Sequence, residues 1–328
     1  MLTDTFGRAI NYLRISVTDR CNLRCVYCMP ADGVTWQARE DQLSVEEIIR
    51  VTQNMALSGL TRVRLTGGEP LVRADIVKIV AGLAAIPGIE EVSLTTNAML
   101  LEKLAQPLAS AGLTRVNISL DTLDPQKFKR ITRGGLIEHV WGGIAAAEQA
   151  GLTPIKINTV VVNGLNADEL SALAHLSFEN PWHVRFIELM PVGNQQTWGE
   201  GFPEAAERYL SVQEMQTQLA GYNLQPVETP QGNGPARTFR IPGALGTVGF
   251  ISPLGEHFCQ NCNRLRLTAD GFLRPCLLLD GEINVRAALR SNLPLQGLIQ
   301  QAVDAKPKGH ELAMLHYPET RRMAQIGG

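Results

Sequence analysis

The 328-residue chain has no excess of either charge, with 30 lysines and arginines against 32 aspartates and glutamates and a formal net charge of −2. That excludes nonspecific attraction to nucleic acid or to an anionic membrane surface, so any basic site must be local. No run of 18 apolar residues occurs, and the opening MLTDTFGRAI lacks a charged segment followed by an apolar one. Neither a spanning helix nor a secretory signal is expected, and the chain reads as soluble and cytoplasmic, without nucleic-acid or membrane partners. Low-complexity tracts and sequence repeats are absent. So are GxxxxGK[ST] and GxGxxG, which removes both common backbone cradles for phosphate. Cysteine is missing from the whole interval between Cys28 and Cys259.

What remains is informative because it is clustered. The six cysteines fall in two triads, Cys21, Cys25 and Cys28, then Cys259, Cys262 and Cys276. A cytosolic compartment disfavours disulfides, and core cysteines would scatter, so both triads read as ligand sets. The length suits two domains or one α/β unit with an extension, and 45% hydrophobic residues can build a large core.

A strand and helix rhythm runs through the first part of the chain. Strands are expected at YLRISV (12–17), RVRLT (62–66), EVSLT (91–95), RVNISL (115–120), IKINTVV (155–161) and HVRFIEL (183–189), with helices between them. Ser44 with Glu47, Asn166 with Glu169, and Ser211 with Glu214 have the spacing of helix-opening capping boxes, and Asp124-Pro125 reads as a cap before a first-turn proline. Six such units predict a parallel α/β sheet, open or closed. Polar residues alternate with apolar ones along the strands: Arg14 and Ser16, Arg64 and Thr66, Ser93 and Thr95, Asn117 and Ser119, Lys156 and Asn158. In a helix-wrapped barrel this polar set lines the centre, and an ordinary eight-stranded barrel fills its centre with apolar side chains. A wider or incomplete barrel with room for a ligand is therefore expected. An antiparallel sheet with one wet face shows the same alternation. From about 190 the rhythm gives way to loops, a helix over 211–220 and short strands over 237–275. The expected division is 1–200 as a partial barrel and 201–328 as an extension that covers the barrel mouth.

The first triad, Cx3CxxC in VTDRCNLRCVYCMP, sits in the loop after the first strand, at the functional end of a parallel α/β fold. Zinc would seek a fourth nearby Cys or His, whereas an iron-sulfur cluster on three thiolates leaves one iron exchangeable. The second triad, CxxC with Cys276 thirteen residues further on, has a stronger zinc alternative because His257 completes a Cys3His set. TGGEP (66–70) follows the second strand, and its paired glycines allow close backbone approach; a simple glycine-rich turn is the other reading.

Cx3CxxC together with TGGEP and Tyr27 resembles the radical S-adenosylmethionine enzymes. The further segments LRISVTDRCN, RLTGGEPLVR, NISLD, RFIELM, the NRLR after Cys262 and the terminal IGG resemble the GTP 3′,8-cyclase family nearly end to end. The resemblance implies an incomplete (β/α)6-type TIM barrel and a lyase of the first step of molybdenum cofactor biosynthesis. The reaction implied is GTP to (8S)-3′,8-cyclo-7,8-dihydroguanosine 5′-triphosphate. It implies two 4Fe-4S clusters, one on each triad, and S-adenosyl-L-methionine as the ligand of the first open iron. Catalytic roles go to Cys21, Cys25, Cys28, Arg14 and the tail glycines Gly327 and Gly328. The cofactor contacts would be Tyr27, Gly68, Ser119 and Met190; the GTP contacts would be Arg14, Arg64, Thr95, Lys156, Arg264, Leu265 and Arg266. A triphosphate without a backbone cradle needs converging side-chain cations, which this set supplies. Implied partners are a flavodoxin or ferredoxin as electron donor, cyclic pyranopterin monophosphate synthase downstream, and a second copy in a homodimer.

Two features stand apart. The family's usual TTNG reads TTNA here, so Ala98 is strained if that turn needs positive φ. Terminal glycines ordinarily fray, while the resemblance sends them into the active site. Two rival functions share parts of this pattern: a radical peptide-modifying enzyme with an auxiliary cluster, whose domains usually need more cysteines, and a zinc-stabilised binding module.

Overall fold

A computed structural model of the chain describes residues 1–192, 198–228, 234–256, 258–310 and 318–327. Gly328 and His257 lie outside the described residues. The strands are β1 (Tyr12–Ser16), β2 (Arg62–Thr66), β3 (Glu91–Thr96), β4 (Arg115–Ser119), β5 (Lys156–Val161), β6 (His183–Glu188), β7 (Gln225–Pro226), β8 (Arg237–Arg240), β9 (Thr247–Ile251), β10 (Arg264–Leu267), β11 (Phe272–Arg274) and β12 (Ile283–Asn284). The helices are α1 (Val45–Ala56), α2 (Ile76–Ala84), α3 (Leu101–Ser110), α4 (Pro125–Thr132), α5 (Ile137–Gln149), α6 (Leu170–Glu179), α7 (Val212–Gln218), α8 (Arg286–Arg290), α9 (Gln296–Asp304) and α10 (Met323–Ile326).

Among the described residues, twelve strands form one sheet in the order β12-β11-β10-β1-β2-β3-β4-β5-β6-β9-β8-β7. The six expected strands pair in parallel and in sequence, so the polar alternation is that of a parallel barrel wall and not of an antiparallel sheet. The later strands do more than cover a mouth. β10 adds in parallel beside β1, and β9 adds in parallel beside β6, which extends the wall on both sides. The remaining short strands pair antiparallel at the two edges. The barrel is therefore incomplete, as expected, but eight parallel strands wide.

Its apolar face explains its stability. Leu13, Ile15, Val63, Leu65, Leu94, Val116, Ile118 and Ile157 are buried in one cluster with the helices outside them. In α1, Ile48, Val51 and Met55 recur at helical spacing and are fully buried, while the capping box of Ser44 and Glu47 fixes the start of the helix. Each such side chain contributes about 1.5–3 kcal/mol by leaving water, and truncating Met55 to alanine would cost about 2–5 kcal/mol. Ser211 with Glu214 opens α7 in the same way, and Asp124 caps α4 ahead of Pro125. Asn166 with Glu169 does not form a capping box. Asn166 is buried and donates to the carbonyls of Asp121 and Val160, and Glu169 turns to Thr122, the Leu123 amide and Lys127. Tertiary partners within reach outcompete the local cap at this position.

Among the described residues, no helix is long and apolar enough to cross a membrane.

Candidate functional site

The inward polar face of the wall lines one cavity of about 260 Å³. The first cysteine loop closes one side. The Cys25 carbonyl accepts from the amides of Cys28 and Met29, which makes a tight turn of the loop. Cys21 Sγ accepts from the Leu23 amide at 3.4 Å. Burial pushes the Cys21 thiol up to about 11 and Cys28 to about 12, and raises Cys25 as well. Nearby Asp121, Glu69 and the neighbouring thiols add to the effect. Metal binding here would have to displace protons.

TGGEP docks onto this loop directly. A Cβ at Gly67 would meet the Thr18 carbonyl at 2.6 Å, and one at Gly68 would collide with the Arg20 carbonyl. The Gly68 and Glu69 amides instead donate to the carbonyls of Thr18 and Arg20, at 2.7 and 2.8 Å. The close approach that these glycines permit is thus first of all to the cysteine loop itself. Glu69 is buried and accepts from Leu71, Thr96 and Asn97, and burial raises its carboxyl to about 7. Asn97 holds Asn22 at 2.8 Å beside Cys21. The next residue, Ala98, has φ of 62° and is fully buried, so the turn does adopt the left-handed conformation that disfavours alanine.

Of the expected cofactor residues, Tyr27, Gly68, Ser119 and Met190 all line the cavity. The Tyr27 hydroxyl donates to Asp121 at 2.6 Å, and burial lifts the Asp121 carboxyl to about 6. Of the expected substrate residues, Arg14, Arg64, Thr95, Arg264 and Arg266 line it too. Lys156 lies deeper, fully buried at the start of β5 in register with Asn117 and His183. Leu265 points to the other face and packs in the apolar core, so its side chain is not available to a ligand. Alternation along β10 requires this, since Arg264 and Arg266 face inward.

Arg185 on β6 joins this set at the same inward position. The alternation already read in β1 to β5 continues in HVRFIE and would have found it. Asp121, Asn97 and Tyr12 also line the cavity without having been singled out.

The cations are crowded and under-balanced. Burial, reinforced by neighbouring positive charge, lowers Arg64 to about 9, Arg185 to about 10 and Lys156 to about 6. Among the described residues, Arg14, Arg64, Arg185, Arg264 and Arg266 form no ion pair with a carboxylate. Buried donor atoms at Arg14 Nε and Arg264 Nε lack a hydrogen-bond partner. Such groups cost free energy until an anion arrives. The wall is built for a polyanion.

The second triad borders the same cavity through Phe258, Arg264 and Leu277. Arg264 stacks over the Phe258 ring at 4.9 Å. Burial pushes the Cys262 thiol up, but Lys306 and Arg264 outweigh it, and the net shift is downward. Among the described residues, no three His, Cys, Asp or Glu side chains gather closely enough to hold a single ion. A four-iron cube takes one thiolate per iron, so its ligands stand further apart. Half-buried thiols with amide donors to Cys21 and Cys276 fit that group at both triads.

The C-terminus enters from the side of β10. The Gly327 carbonyl accepts from Arg266, and Gly327 is buried with φ of 77°. A Cβ there would meet Thr66 Cγ2 at 2.5 Å and Ser16 Cβ at 3.4 Å. Only glycine fits this approach to the wall. The penultimate residue is therefore packed and not frayed.

The chain matches the Radical SAM superfamily over residues 15–177 and the Molybdenum Cofactor Synthesis C family over residues 182–312. It is 51% identical over 330 residues to a GTP 3′,8-cyclase from Moorella thermoacetica, covering 100% of both chains. It is 49% identical over 336 residues to one from Listeria monocytogenes serotype 4b, covering 100% of this chain and 99% of that one. Among solved structures it resembles SuiB from Streptococcus suis bound to S-adenosylmethionine, at 16% identity and TM-score 0.61, over 89% of this chain and 68% of that one. It also resembles anSMEcpe with bound AdoMet and the Cp18Cys peptide, at 14% identity and TM-score 0.57, over 92% and 82%. At such identities these two show the fold alone.

Proposed function

The chain belongs to the GTP 3′,8-cyclase family of the radical S-adenosylmethionine superfamily, and from that premise we propose which residues carry the reaction. The enzyme converts GTP to (8S)-3′,8-cyclo-7,8-dihydroguanosine 5′-triphosphate in the first step of molybdenum cofactor biosynthesis, with two 4Fe-4S clusters and S-adenosyl-L-methionine as cofactors. In reaction class we place it among the lyases. Residues 1–200 serve as the radical-generating core and 201–328 as the region of the second cluster, a division by task, since both contribute strands to one sheet.

Cys21, Cys25 and Cys28 hold the first cluster; Cys259, Cys262 and Cys276 hold the second. When bound, the first cluster and S-adenosylmethionine would supply one-electron, radical-generating chemistry toward C3′ of GTP, and the second cluster would hold the guanine base. The protein's own part is positioning. Gly68 and Glu69 bring backbone and carboxylate to the cofactor's amino end, with Ser119 and Met190 flanking it. Tyr27 is fixed by Asp121 beside the first triad. Arg14, Arg64 and Arg185, with Lys156 beneath them, take the triphosphate, while Thr95, Arg264 and Arg266 border the nucleoside, as would the backbone of Leu265. Gly327 narrows the channel and helps to exclude water from the radical step, and Gly328, outside the described residues, is assigned the same task.

The under-balanced cation wall, in a cavity lined by the first triad and bordered by Phe258, Arg264 and Leu277 beside the second, is the observation that carries this reading. Its test is anaerobic turnover with GTP, S-adenosylmethionine and a low-potential reductant. Equimolar 5′-deoxyadenosine and cyclised nucleotide are expected, from protein with about eight irons and eight sulfides per chain. Stoichiometric zinc without acid-labile sulfide would sink it. In the cell, a flavodoxin or ferredoxin would supply the electron, cyclic pyranopterin monophosphate synthase would consume the product, and the cytoplasm would be the setting. A homodimer is the assembly we would look for first.

A further inference from the structure

Lys306 follows α9, whose Ile299, Ala302 and Val303 are packed in the core, and its amide donates to Val303 at 3.1 Å. The side chain is turned inward and the residue is only 3% exposed. Its ammonium makes three hydrogen bonds: to the carbonyl of Arg264 at 2.8 Å, to the carbonyl of Pro275 at 3.0 Å, and to Cys262 Sγ at 3.3 Å. An ammonium has three donors, so all are used. Two go to backbone on the segments that carry Cys262 and Cys276. The third goes to sulfur.

No carboxylate pairs with Lys306 among the described residues, which is unusual for a buried cation. Arg8 nearby is the instructive contrast. It also clamps this region, donating to the carbonyls of Cys259 at 2.7 Å and Pro307 at 2.6 Å. Its charge, however, is met by Asp4 at 2.6 Å. Arg8 therefore only fastens the loop, whereas the charge of Lys306 is left facing the thiol.

We propose that Lys306 is a positioning residue of the second cluster: its buried ammonium holds Cys262 by an N–H···S hydrogen bond and raises the reduction potential of the cluster that Cys262 ligates. The physical reason is that reduction adds a negative charge, and a fixed cation at the ligand sulfur stabilises the reduced state more than the oxidised one. Hydrogen bonds to cluster sulfurs and local net charge are established levers on iron-sulfur potentials. The inference rests on the reading that the second triad binds a cluster.

The test uses full-length protein, anaerobically loaded and free of GTP, as wild type, Lys306→Met and Lys306→Arg. Iron and sulfide are counted first. Each cluster's midpoint is then measured by potentiometric titration followed by electron paramagnetic resonance. The first cluster, recognised because its signal changes on adding S-adenosylmethionine, is the internal reference. In Lys306→Met the second midpoint should fall while the first stays put, and Lys306→Arg should lie near wild type. A fully loaded Lys306→Met protein with both midpoints unchanged overturns the proposal. If Lys306→Met fails to load the second cluster, wild-type protein labelled with 15N-lysine decides instead. A 15N hyperfine coupling at the second cluster supports the contact, and its absence refutes it. A wild type with only one cluster by iron and sulfide count would overturn the underlying reading as well, and is told apart by that count.

Discussion

The two cysteine triads share a motif logic but not an environment. Around the first, the charged neighbours are Asp121 and Glu69, which together with burial hold its thiols in the protonated range until metal binds. Around the second, the neighbours are Lys306 and Arg264, which pull Cys262 down against its own burial. Under the proposed assignment, the acidic neighbours would make a cluster at the first triad the harder to reduce. In the second setting this pull is confined to Cys262, since burial raises the Cys259 thiol. The same residue type in the same kind of motif thus meets opposite charges in the two places.

The largest effects should come from removing ligands one site at a time. Replacing Cys25 by serine should leave no detectable 5′-deoxyadenosine, whereas replacing Cys262 should spare some cofactor cleavage and end formation of the cyclised nucleotide. If both variants lost the same partial reaction and kept the other, the division of tasks between the triads would be wrong.

Next comes the terminal glycine pair, of which Gly327 packs against Arg266 and Thr66. Deleting Gly327 and Gly328 should leave both clusters and GTP affinity nearly intact but remove productive cyclisation, read as uncoupled 5′-deoxyadenosine. The contacts of Gly327 with Arg266 and Thr66 must offset roughly 1–2 kcal/mol of backbone entropy per ordered residue. A full-length rate from the truncated enzyme would reduce the tail to packing.

A smaller effect is expected on the cation wall. Arg185→Ala should weaken GTP about 10–100-fold, from the roughly 1.5–3 kcal/mol of a hydrogen bond to a charged group, and should change guanosine binding little. Equal losses for both ligands would remove Arg185 from the triphosphate.

Proton linkage sharpens the same point. In the free enzyme Lys156 sits at about 6, lowered by burial and then by Arg185, Arg115 and Arg64. Because this folded value lies below the unfolded one, the unfolded chain binds more protons between about 6 and 10.5, and stability from this group rises with pH through that window. A triphosphate raises the value again, so GTP binding near pH 7.5 should take up to one proton, and affinity should fall as pH rises above about 6. Calorimetry in buffers of different ionisation enthalpy reads this directly. No uptake in wild type, or equal uptake in Lys156→Met, would assign the proton elsewhere.

The smallest change belongs to Ala98, beside the first site. Ala98→Gly relieves about 1–2 kcal/mol of left-handed strain but loses a buried methyl, about 0.8 kcal/mol, and about 0.5–1 kcal/mol of chain entropy. Stability within about 1 kcal/mol of wild type is expected in denaturant unfolding. A large gain would mean that the alanine is paid for by function.

Periodicity was sufficient for the six parallel strands and their inward polar face, because each is written locally, at a period of two. Arg185 was equally legible, since it occupies the inward position of HVRFIE that the other strands had already defined. The remainder depended on meetings between distant segments. β9 and β10 are ordinary short strands in sequence, and only their parallel pairing with β6 and β1 makes them part of the wall. The inward turn of Arg264 and Arg266 put Leu265 in the core. Asn166 and Glu169 had the spacing of a cap, yet buried partners in the β4 and β5 loops claimed their side chains. Lys306 carries no local signal, because a lysine after a helix is usually a solvated charge. Its role arises where α9 ends against two cysteine segments, and a buried charge takes its meaning from whichever groups the fold has placed within hydrogen-bond reach.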